Sequence, residues 1–149
     1  MNPFDLKSAL LARHAQHVVL IHFPIALLLA GVAFDFAAQW SRKQVLGAVA
    51  YYNLLTAALC SVPALVTGLL AWQLQLEGQR LQGVLLLHLI LGSASTALIW
   101  LVGWVHFRAG RMPGRVLPRY RLPLELLAAA VVALTAHLGG FLSGVNAPG

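Results

Sequence analysis

Four apolar runs, at about residues 18–40, 45–72, 83–107 and 124–142, decide what this chain can fold into. Each is long enough for a helix that crosses a bilayer, which takes about 20 apolar residues. In hydrocarbon every backbone N–H and C=O must find a partner inside the protein, so such segments are helices or strands of a closed barrel. Barrel strands show short stretches of period-two alternation, and these runs have none. The expected fold is therefore all-α: an integral-membrane four-helix bundle, up-and-down, forming one domain over residues 1–149. Only 9% of the residues are charged and 60% are hydrophobic, where a soluble domain carries about 25% charged. The first run is too long for the core of a cleaved signal peptide, and Phe34, Asp35 and Phe36 follow it, so it is read as a retained span.

The net charge of +6 does not mark a nucleic-acid surface, because the basic residues flank the spans. Arg42, Lys43, Arg108, Arg111, Arg115, Arg119 and Arg121 fall on the side of the first and third loops, against Lys7, Arg13 and Arg80 on the other. The positive-inside rule then directs both termini away from the cytoplasm. Trp40, Tyr51, Tyr52, Trp104 and Tyr120 gather near the basic side, as an interfacial belt does. Ala57, Ser61, Ala64 and Gly68 recur at three- or four-residue spacing, the pattern of close helix packing in membranes. Pro24 and Pro63 are expected to loosen or bend their helices. Cys60 is the only cysteine, so an internal disulfide and a Cys-x-x-Cys-His haem attachment are both excluded.

The functional candidates are histidines. An ionisable side chain at the centre of a span costs roughly 2.5–3.5 kcal/mol, so it marks a site. In an up-and-down bundle His17, His22, His88 and His137 fall on the side away from the basic loops. His22, His88 and His137 reach similar depths of roughly 7–9 Å at 1.5 Å per residue. His106 lies near the basic side, and His14 is expected to be exposed. Acidic partners on the histidine side are confined to Asp5 and Glu77, outside the spans. That argues against a carboxylate-bridged di-iron centre, and no nucleophile–base–orienter set is visible for hydrolysis.

Imidazole ligation of a metal or of haem iron remains. The first and third helices are diagonal in such a bundle, roughly 12–14 Å apart. That separation suits two imidazoles on opposite faces of a porphyrin, with His22 and His88 as the preferred axial pair. His137 is an alternative ligand or a propionate partner. His17 stands about 140° around the helix from His22, so the two need not share a face. Gly92, Ser93, Ser95, Ala136, Gly139 and Gly140 would leave room for a flat ring. Two other readings stay open: a non-catalytic subunit whose histidines hydrogen-bond between helices, and a copper or zinc site at His17, His22 and His137. Asp35 is expected to pair with Arg121 or Arg119, and Glu125 to sit at the start of the fourth helix, where the macrodipole favours an acid.

Within these residues the chain resembles the bacterial membrane-protein family called domain of unknown function 2231. The family's opening pattern, His-Pro-x-x-x-His-Phe-Pro-x-x-Leu, is similar to His17, His22, Phe23, Pro24 and Leu27, with Val18 in place of the usual proline. An acid in the first helix corresponds to Asp35 and a histidine in the third to His88. The closing His-x-Gly-Gly-x-Leu resembles His137, Gly139, Gly140 and Leu142, with Ser143 where an aromatic residue is usual. The resemblance implies a multi-pass protein of the bacterial inner membrane that binds haem b near the periplasmic face and transfers electrons. Its partners would be a periplasmic cytochrome or cupredoxin, the quinone pool, or the other subunits of a larger membrane complex.

Overall fold

The computed structural model describes residues 13–75, 78, 80–111 and 116–143. Four α-helices account for nearly all of them: α1 (Arg13–Ser41), α2 (Gln44–Gln75), α3 (Gly83–Arg111) and α4 (Arg121–Leu142). All four are long and apolar enough to cross a membrane. Their ends extend past the apolar runs into polar sequence, because helical hydrogen bonding does not stop where hydrophobicity does. α1 and α2 run unbroken through Pro24 and Pro63.

Only Arg42 and Lys43 separate α1 from α2, so the two helices must fold back on each other. Arg42 makes the reversal with φ of +56°, a left-handed conformation that costs a non-glycine residue roughly 1–2 kcal/mol. The next two pairings are antiparallel too: Gly103 meets Ala58 and Gly110 meets Tyr51, while His88 meets Gly139 and His106 meets Glu125. α1 packs on α2, α2 on α3, α3 on α4, and α4 closes back on α1. α1 and α3 are thus the diagonal pair of an up-and-down bundle.

The bundle centre is built from Leu28, Val32, Leu54, Ala57, Ala58, Ile99, Val102, Ala128 and Val132. Lipid removes the hydrophobic drive between helices, so close approach of small residues takes over. A Cβ on Gly103 would lie 3.2 Å from the Ala58 Cβ and 3.5 Å from the Leu54 carbonyl oxygen. The small-residue row of α2 does face the bundle: Ala57, Ser61 and Ala64 are buried, and Gly68 lies under the His17 ring. Large apolar side chains such as Leu59, Leu87, Ile90 and Leu126 point outward, as lipid-facing positions require. Trp40, Tyr52, Trp104 and Tyr120 are exposed at the end that carries the basic residues. Arg108 and Arg111 there lie over the rings of Trp104 and Phe107.

Candidate functional site

Polar groups gather inside the bundle at two levels, and the helical repeat explains both. His17 and Asp35 are eighteen residues apart on α1, as are His88 and His106 on α3. At 3.6 residues per turn that is five turns, about 27 Å along the axis. Each diagonal helix therefore carries two polar side chains on a single inward face, one near each end.

At the end away from the basic loops, the His17 ring lies across Gly68, where a Cβ would come within 2.9 Å of it. Its Nδ1 is 3.2 Å from the Thr67 hydroxyl. That hydroxyl already donates to the Pro63 and Ala64 carbonyls, so His17 Nδ1 is the donor in this contact. His88 repeats the arrangement on the opposite helix. Its ring lies against Gly139, 3.1 Å from a Cβ placed there, and its Nδ1 donates to the Thr135 carbonyl at 3.1 Å. Ser95 also donates to the Thr135 hydroxyl at 2.9 Å, since that hydroxyl gives its own proton to Val131.

His22 and His137 are placed differently. Pro24, Leu28, Val32 and Asp35 define the buried face of α1, and His22 stands about 140° away from Asp35 on the helix. It is exposed, with Nδ1 donating to the Val18 carbonyl one turn back at 2.6 Å. His137 is likewise exposed, edge-on to the Phe141 ring. The structure thus brings His17 and His88 to inward faces and leaves His22 and His137 outside. Among the described residues, His17, His22 and His137 do not form a trio with ligand atoms within 4.8 Å of one another. The side chain of His14, and Asp5 and Glu77, lie outside the described residues.

The second level lies at the basic end and is more deeply enclosed. Arg121 Nε donates to Asp35 Oδ2 at 2.7 Å, the pairing expected from sequence, while Arg121 Nη2 donates to Gln39 Oε1 at 3.0 Å. His106 Nε2 lies 2.7 Å from Glu125 Oε1, with His106 only 2% exposed and Glu125 not at all. Glu125 therefore does not serve the start of its helix. α4 begins four residues earlier at Arg121, which carries Glu125 a full turn into the bundle and onto His106. Its second oxygen, Oε2, is buried with no hydrogen-bond partner. Asp35, His106 and Glu125 each offer an atom such that all three lie within 4.8 Å of one another, the one such trio among the described residues. Reasoning from sequence missed this grouping. The available signal was depth: His106 precedes Arg108 by two residues and Glu125 follows Arg121 by four, so a hairpin of α3 and α4 sets them level.

A membrane-spanning, up-and-down four-helix bundle with histidines and paired charges on its inward faces is the class of protein that this geometry defines. The chain belongs to the family described as predicted membrane protein (DUF2231), whose pattern it matches over residues 13–146. No curated protein and no solved structure matches it.

Proposed function

We propose that the protein is a b-type cytochrome-like electron carrier of the bacterial inner membrane. In this reading haem is held near the periplasmic end of the bundle by His17 and His88. One observation supports it most. Two imidazoles stand on the inward faces of diagonal helices near one end, each with Nδ1 hydrogen-bonded to a neighbouring helix. Metal-binding histidines are oriented in this way, with the second nitrogen tied to a carbonyl or hydroxyl partner. Gly68 and Gly139 supply the space in which the rings lie, since a Cβ at either would press on them. Two imidazoles on these faces are the donor set that a haem iron would take. In this reading His17, rather than His22, is the partner of His88, because His22 is exposed on α1.

A haem held by His17 and His88 would supply one-electron transfer. The chain's own part is to hold the two rings, fix their tautomers through Thr67 and Thr135, and keep the site within low dielectric. A periplasmic cytochrome or cupredoxin, or the quinone pool, would exchange electrons with it.

The test is an absorption spectrum of the purified protein before and after dithionite. We expect a low-spin b-type spectrum that is lost in His17→Ala and in His88→Ala and kept in His106→Ala. Loss in His22→Ala with retention in His17→Ala would return the ligand role to His22. A haem-free wild-type protein purified from a haem-sufficient host would refute the reading.

A second reading, a non-catalytic membrane subunit, draws on the same hydrogen bonds. His17–Thr67 and His88–Thr135 each tie two helices together. On that reading the variants lose no spectrum and cost only about 0.6–1.7 kcal/mol of stability each, the range of hydrogen bonds between membrane helices.

A further inference from the structure

We propose that Asp35, His106 and Glu125 form a binding site for a divalent first-row transition-metal ion, inside the bundle at its basic end. The site is separate from the histidine level discussed above and does not depend on it.

Three helices deliver its ligands: α1 gives Asp35, α3 His106 and α4 Glu125. All three side chains are buried, at 2%, 2% and 0% exposure. Their nearest offered atoms fall within 4.8 Å of one another. Bonds of about 2.0–2.2 Å give edges of about 3.3–3.6 Å between ligands in a tetrahedral shell. The widest separation would have to close by at most about 1.5 Å.

Charge and bonding both call for a cation there. Asp35 and Glu125 face a single guanidinium, so with neutral His106 the cluster lacks one positive charge. A proton between His106 Nε2 and Glu125 Oε1 would restore neutrality, but it serves only that oxygen. Glu125 Oε2 remains a fully buried acceptor without a donor, a state that costs on the order of 1–3 kcal/mol. A metal ion gives the carboxylate a second partner and uses the imidazole as well. Arg121 takes the place of an outer-shell donor, holding Asp35 by Oδ2 and leaving Oδ1 for the ion. One imidazole with two carboxylates selects manganese, iron(II) or zinc over calcium and magnesium, which favour all-oxygen shells, and over copper(I), which favours sulfur. Access is from the basic face, where Arg121 is 12% exposed and reaches the exposed Gln39.

Manganese(II) is the probe, added to the full-length protein in detergent micelles after dialysis against chelator. We expect one ion per chain and, by pulsed electron paramagnetic resonance, coupling to a single imidazole nitrogen. His106→Gln should abolish the nitrogen coupling, Glu125→Gln should weaken affinity at least tenfold, and His22→Ala should change neither. Absence of stoichiometric uptake by the folded wild-type protein, the outcome if only a proton occupies the site, would overturn the proposal. So would coupling that survives in His106→Gln. Should both variants fail to fold, the wild-type spectrum decides alone: no nitrogen, or two or more, excludes this ligand set.

Discussion

Replacing Asp35 with Asn keeps the shape of the side chain and removes its charge, which isolates the worth of the ion pair with Arg121. Breaking a buried pair by removing one partner costs about 3–5 kcal/mol in general, because the other charge is left uncompensated. The local structure places Asp35→Asn at the lower end, about 3 kcal/mol. Arg121 is 12% exposed, already donates to Gln39, and can turn further towards the membrane surface. The substitution also removes an acid that faces Glu125 across the cluster. Arg121→Gln should sit at the upper end, about 5 kcal/mol, since Asp35 is 2% exposed and has no such escape. The double variant should cost less than the sum of the two by about 2 kcal/mol or more. Reversible unfolding in mixed micelles with increasing dodecyl sulfate, followed by tryptophan fluorescence in the presence of chelator, measures all three. A coupling of about 0.6 kcal/mol or less, the average for hydrogen bonds between membrane helices, would refute the view that charge is what joins α1 to α4.

Three further expectations concern the bundle as a whole. A reporter active only in the periplasm, fused after Gly149, should be active; activity of a cytoplasm-only reporter there would reverse the orientation inferred from the basic loops. Gly103→Val should cost about 1–3 kcal/mol by wedging α3 off Ala58 and Leu54, as overpacking does. Gly92→Ala, whose Cβ would meet only Thr135 at 3.9 Å, should be neutral or gain up to about 1 kcal/mol from helix propensity. Equal losses at both positions in the same micelle titration would show that the helices are not in close contact at Gly103.

The four helices could be read from apolar length alone, because lipid leaves the backbone no alternative to internal hydrogen bonding. The Asp35–Arg121 pair was legible for a similar reason: a buried acid needs a cation, and the loop before α4 is rich in them. His22, His88 and His137 match in depth, yet depth says nothing about angle. Asp35, an acid that must point inward, fixes the inward face of α1. Counted from it, His17 returns to that face after five turns and His22 misses it by about 140°. Glu125 was misread because a helix start was placed at the first apolar residue. Arg121, Leu122 and Pro123 already form the first turn of α4, so Glu125 stands inside the bundle.

The five-turn spacing on both diagonal helices has an energetic consequence. Two sites about 27 Å apart along the bundle interact weakly even in a poorly polarisable interior. Unit charges at that separation and an effective dielectric constant of 20 interact by about 0.6 kcal/mol. A charge change at Asp35, His106 or Glu125 therefore alters an equilibrium at His17 and His88 by less than a factor of ten, for which 1.36 kcal/mol is required. Mechanical coupling is the remaining route, and the helices offer one on each side. α1 joins His17 to Asp35, α3 joins His88 to His106, and Arg121 and Glu125 tie the lower ends of both to α4. Loss of the Asp35–Arg121 pair would thus reach the upper histidines by letting α1 shift against α4. Loss of Glu125 would do so by letting α3 shift.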